Sequence, residues 1–382
     1  MRSGWSRPSS SHRVRGLALA TLLAAAVVAW GVQLVRWRAA APVRSHVEAG
    51  IEFANRRMGA QAEREWREAL RLDPRCAAAW ELLGDYYLSW ENGPGALEAF
   101  RQLERVAPAT PALHERLAAS ARLAGDQLAA LRYAERELER NPRSATALDV
   151  AAEVLSLLSD ERRELELLRR LAALKPADRA CLARLARALV RAGAYEEARA
   201  VADRIIALDE SDPEAWGLRG RAWFSQDPSP QGLRRAESDL LRSAALGPEG
   251  PTQRLFLGRV YQHMGRPEKA LRWLQEAARM APRDPDVHFE LARVCASLGR
   301  KADAERAQRR FSVLRRQADL AIALEKRCAI RPDGFEEHLQ AGLVNMERGD
   351  RARADYYLHR AALLRPGDAR ARAALHRLAR LD

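Results

Sequence analysis

The residues with the most obvious chemical potential are four arginines that recur at intervals of 34, 38 and 34 positions: Arg187, Arg221, Arg259 and Arg293. A guanidinium binds a carboxylate through paired, charge-assisted hydrogen bonds, so a column of them suits an extended acidic peptide. On the same face, nearer the amino terminus, stand Glu81, Asp85, Glu115, Asp149 and Glu153. That face is expected to be acidic at one end and basic at the other.

Other reactive side chains form no constellation. No nucleophile elbow, glycine-rich phosphate loop, dinucleotide fingerprint or HExxH string occurs. His46, His114, His288 and His338 fall at one recurring position and read as packing residues, while His359 and His376 have no carboxylate or cysteine at ligand spacing. Adjacent glutamates such as Glu196-Glu197 and Glu336-Glu337 suit helix starts, where they complement the dipole. Cys76, Cys181, Cys295 and Cys328 show no CxxC; Cys295 reads as a small core residue, and a Cys295–Cys328 approach is left open. Neither catalysis nor a cofactor is expected, and the metal assignment is none.

The elements that would position the arginine column come from a helix-pair motif returning every 34 residues. Its clearest copies are Trp80, Leu83, Gly84, Tyr87, Ala96, Phe100 and Pro108, and then Leu257, Gly258, Tyr261, Gly265, Ala270, Leu274, Ala277 and Pro282. Small residues stand where two helices cross, large apolar ones beside them, and proline after the second helix. Such a unit cannot bury its apolar face alone and stacks on copies of itself. Aligning on the terminal proline gives nine copies over residues 43–368. The sixth carries four extra residues around Gln226, Asp227, Pro228 and Ser229, expected to fall in the turn between its helices. The eighth is irregular over 299–334, where it loses the proline and its second helix is expected to run on towards Cys328, and residues 369–382 read as a capping helix.

This pattern resembles the tetratricopeptide repeat family over about 85% of the chain. The resemblance implies an all-α fold, a right-handed superhelical solenoid of about nine helix pairs with the first helix of each pair lining a concave groove. It implies binding of a peptide or protein there, without catalysis. Resemblance extends to bacterial envelope proteins with one anchor and a repeat domain.

Charge and the amino terminus complete the reading. The net charge is +13, but 60 of the 64 basic residues are arginine, and the first 42 residues hold six arginines and no acid, leaving +7 on 43–382. Residues 1–15 form a basic tail and 36–42 a linker. Between them, residues 16–35 run without a charge for a length that would span a bilayer, with Arg13, Arg15, Arg36 and Arg38 flanking. An uncleaved transmembrane helix is expected there, ahead of the solenoid. The corresponding localisation is a single-pass protein of the bacterial inner membrane with the solenoid on the periplasmic side. The function expected is a membrane-anchored scaffold for an acidic peptide or protein partner. The alternatives are an RNA-binding helical repeat, for which stacking aromatics are scarce on the groove, and a non-catalytic subunit that positions an enzyme.

Overall fold

The computed structural model describes residues 41–247 and 250–380. Among them every regular element is helical. Helix α1 occupies residues 41–55, and is followed by α2 (Gly59–Leu72), α3 (Ala77–Ser89), α4 (Gly93–Val106), α5 (Leu113–Leu123), α6 (Gln127–Arg140), α7 (Ala145–Leu157), α8 (Glu161–Leu174) and α9 (Arg179–Arg191). The order continues with α10 (Tyr195–Leu208), α11 (Pro213–Gln226), α12 (Pro230–Leu246), α13 (Pro251–His263), α14 (Pro267–Met280), α15 (Pro285–Ser297), α16 (Lys301–Ile330), α17 (Phe335–Arg348), α18 (Arg351–Leu364) and α19 (Ala369–Ala379). Nine pairs and a terminal helix result. They fall into two compact units, Met1–Leu113 and His114–Asp382.

Each pair is locked by a crossing with almost no space between the helices. A Cβ on Gly258 of α13 would stand 2.5 Å from Leu274 Cγ of α14. In the first unit, Gly84 of α3 meets the ring of Phe100 of α4 in the same manner, at 2.6 Å. Leu274 and Phe100 are fully buried by that approach, and burying one such side chain stabilises by about 1.5–3 kcal/mol. Between the paired helices the chain reverses through a left-handed residue. Glycine supplies it at Gly125, Gly193, Gly265, Gly299 and Gly349, while Arg57, Glu91 and Ser159 adopt it at three other turns. Aspartates then start many helices: Asp126, Asp160, Asp178, Asp212 and Asp350 each accept a backbone N–H two or three residues into the helix.

In the second unit the first helices of successive pairs touch, α9 on α11, α11 on α13 and α13 on α15, and no second helix meets the next to a comparable extent. The stack therefore curves with the first helices inside. A latch recurs on the second helices. Arg170, Arg204, Arg310 and Arg360 each donate to the carbonyl of the proline 28 residues earlier, Pro142, Pro176, Pro282 and Pro332, at 2.7–3.4 Å. These carbonyls end the preceding unit, so the arginine ties one pair to the next.

Two expectations are refined and one is corrected. Asp227, Pro228 and Ser229 form the turn of the sixth pair, as expected, but the turn is no longer than that of the fifth. It keeps three residues, whereas α11 has 14 residues against 13 in α9 and α12 has 17 against 14 in α10. Ser229 caps the lengthened helix through Gly232 N at 3.1 Å, and Pro230 fits its first turn, so added length extends the helices. The irregular 299–334 stretch is dominated by one 30-residue helix, α16. Residues 300–331 contain neither glycine nor proline, and at about 1.5 Å per residue the helix runs roughly 45 Å. It packs on both α15 and α17, as the shorter second helix α10 packs on α9 and α11. Finally, among the described residues no helix is long and apolar enough to cross a membrane. Residues 16–35, on which the single-pass inner-membrane localisation rested, lie outside the described residues, and that localisation is not supported.

The crossing makes a stability prediction. Gly258→Ala gains about 1 kcal/mol of helix preference but overpacks the crossing by about 1–3 kcal/mol, so its urea midpoint should fall. Glu91→Gly, which relieves a left-handed residue, should raise the unfolding free energy by about 1 kcal/mol and the midpoint with it.

Candidate functional site: the inner arginine column

Arg187, Arg221, Arg259 and Arg293 sit on α9, α11, α13 and α15, the helices that line the inside of the second unit's curve. Their environments differ. Arg187 forms an ion pair with Glu214, the second residue of α11. Arg259 donates to Glu290 Oε1 at 2.9 Å and lies 3.6 Å from Asp286. Arg293 donates to the other oxygen of the same carboxylate, Glu290 Oε2, at 3.0 Å. Glu290 is 3% exposed, so one buried carboxylate joins two rungs.

Arg221 has no such partner. Its Nε is buried without a hydrogen bond, no carboxylate among the described residues lies within ion-pair distance, and its guanidinium stacks over the Phe256 ring at 4.9 Å. Burial lowers its pKa from the ordinary arginine value, with further lowering by Arg259 and a smaller opposing effect from Glu214. The remaining charge is unneutralised positive potential in a partly dry place, an arrangement that favours an incoming anion.

The acidic residues are distributed otherwise than the sequence suggests. Glu81 and Asp85 lie half-buried on α3 of the first unit. In the second unit, Glu115 accepts the Ser144 hydroxyl at 2.8 Å, Asp149 is paired with Arg184, and Glu153 lies 3.9 Å from Arg122. Within the second unit, carboxylates and guanidiniums interleave on the first helices. The partner groups Arg184, Glu214, Asp286 and Glu290 escaped sequence reasoning. Except for Glu290 and Arg293, three positions apart on α15, they are 27 to 35 residues from their partners, so the signal was an opposite charge about one repeat away. Arg191, paired with Glu164 at 2.6 Å, also belongs here. With Arg184 and Arg187 it lines a cavity of about 350 Å³, whose far wall is Asp355 and Tyr356 of α18.

The recurring histidines do structural work. His288 Nε2 bonds the Pro282 carbonyl at 3.0 Å, the role that the Trp80 indole plays toward Pro74 at 2.8 Å. His338 is buried and bonds the Gly334 carbonyl at 2.7 Å. All four cysteines are free thiols. Among the described residues no group of histidines, cysteines and acids could hold a metal ion.

Antiparallel helix pairs with glycine crossings, stacked in register, define a helical-repeat protein. Models of the tetratricopeptide repeat match residues 47–109, 165–222 and 255–319, and the chain is a tetratricopeptide-repeat protein. Similar solved structures include the Cut9–Hcn1 hetero-tetramer of the APC/C, with 14% identity, 85% of this chain and 59% of that one covered, and a TM-score of 0.43. A tetratricopeptide repeat protein from Parabacteroides merdae has 16% identity over 66% of this chain and 98% of its own, with a TM-score of 0.43. YrrB, described as having an unusual peptide-binding site, has 19% identity over 55% and 97%, with a TM-score of 0.32. No curated protein matches the chain.

Burial separates the rungs energetically. Glu290→Ala should lower stability by about 1.5–3 kcal/mol, because charged hydrogen bonds to a buried carboxylate are lost. Arg187→Ala, at an exposed pair, should change it by less than about 1 kcal/mol. Denaturant midpoints of the two variants check the contrast.

Proposed function

We propose that the protein is a non-catalytic interaction scaffold whose inner helical face holds an acidic segment of a protein partner, with Arg221 as the central anion contact. The family supports a protein-binding role in general. The observation that carries the acidic preference is that Arg221, alone among the four column arginines, has no carboxylate partner among the described residues. A glutamate or aspartate reaching it would replace no existing ion pair. The flanking rungs, already neutralised by Glu214 and Glu290, shape the site and leave its charge at one point.

Nucleic acid is disfavoured on the same grounds. Phe224, one of the two aromatics that the sequence places on this face, stands edge-on to Phe256 and His263, with centroids 5.8 and 5.2 Å away. Phe289 packs on Phe311 at 5.3 Å. Rings engaged with one another offer poor platforms for stacking bases.

The test is fluorescence anisotropy of the full chain with a labelled, extended glutamate–alanine peptide at two salt concentrations. One lost charge-assisted bond is worth about 1.5–3 kcal/mol, so Arg221→Glu should weaken binding roughly ten- to a hundredfold. Arg272→Glu on the outer helix α14 should leave it unchanged. Equal affinity of the wild type and Arg221→Glu would refute the site.

A further inference from the structure

The second unit closes on itself. Helix α18, from the last pair, packs on the turns of the third and fourth pairs. Arg353 donates to the Ser159 hydroxyl at 2.9 Å, a contact between residues 194 positions apart. Arg360 stands 4.0 Å from Asp126, and the His359 ring covers Gly125. Tyr356 and Tyr357 share an apolar cluster with Leu157 and Leu158. Between these contacts the seam is not filled. A cavity of about 640 Å³ remains, within the range of small-molecule sites.

Its two walls belong to opposite sides of the seam. Leu131, Leu155 and Leu158 face it from α6 and α7, and Ile322, Tyr356 and Tyr357 from α16 and α18. Ile322 is 44% exposed although it lines a cavity, so apolar surface there has no cover. The polar lining is cationic in excess: Arg163, Lys326 and Arg353 against Asp160 and Glu325. Arg163 is paired with Glu135 and Asp160, and Arg353 with Glu325 and Asp350. Lys326 has no carboxylate among the described residues within ion-pair distance and is exposed at the rim. His338, also on the lining, is held toward its neutral form by burial.

We propose that this seam cavity is a binding site for a long-chain aliphatic carboxylate, its chain between the leucine and tyrosine walls and its head at Lys326. Because each side of the seam supplies half the walls, such a ligand favours the closed state and fastens α18 to the third and fourth pairs. None of the four column arginines takes part, so the site stands or falls apart from the peptide reading.

Cys328 gives a native reporter. It lines the cavity, is 5% exposed, and burial pushes its thiol pKa up to about 12. The full chain is treated with iodoacetamide, with palmitate below its micellar concentration, and alkylation is followed by mass spectrometry. At tenfold excess over Kd, palmitate should slow Cys328 alkylation about tenfold, leave half-buried Cys76 unaffected, and raise the thermal midpoint. Ile322→Arg, at a position exposed enough to keep the fold, should abolish both effects, and Lys326→Glu should weaken them about tenfold. Absence of both effects in the wild type overturns the site. Undiminished protection in Ile322→Arg, or equal protection by hexadecanol, overturns it also.

Discussion

Close approach of the two helices within a pair is the constraint from which the other features descend. At Gly84 and Gly258 the partner helix brings a ring or a leucine to the distance at which even a methyl group would collide. Interiors packed this densely have little room for adjustment, so each pair behaves as a rigid wedge. Wedges stacked in register turn by a fixed angle, and this carries the first helices to the inside of the second unit. Arg187, Arg221, Arg259 and Arg293 share a face because four crossings repeat one geometry, which no interaction among the arginines themselves requires.

Charge then modifies what the crossings build. The chain is rich in arginine, and composition alone suggests a generic solvated surface. Part of that content has definite employment. Arg170, Arg204, Arg310 and Arg360 tie second helices to proline carbonyls, and Arg184, Arg187 and Arg259 join neighbouring first helices through aspartate or glutamate. A guanidinium stays charged at any physiological pH and offers several donors, so it can close a carbonyl latch and an ion pair with the same chemistry. The column is therefore a structural framework with one rung left open.

What could be read from the sequence was what is local. Leu83, Gly84 and Phe100 mark a helix pair through spacing alone, and Gly125, Gly193, Gly265, Gly299 and Gly349 mark the turns. The uninterrupted run before Pro332 indicated that the eighth pair's second helix continues, and α16 does so. The turn of the sixth pair falls at Asp227, Pro228 and Ser229 as its spacing indicates, but the lengthening of the flanking helices was hidden, because Ser229 and Pro230 begin a helix as readily as they fill a loop. The partners of the column were hidden for a different reason. Glu214 and Glu290 look like ordinary helix surface until the curvature of the stack brings them to Arg187 and Arg259. Least legible was the contact of Arg353 with Ser159, which depends on the sum of all the intervening rotations and has no sequence signature of its own.

That last contact limits how this chain can evolve. Open repeat arrays gain or lose units by duplication or deletion, since each copy meets only its neighbours. Here an inserted or deleted pair anywhere between α8 and α18 would carry Tyr356 and Arg353 past their seats on Leu158 and Ser159. The closure thus counts the repeats, and length variation should be confined to the outer ends of the helices, as the extended α11 and α12 already illustrate.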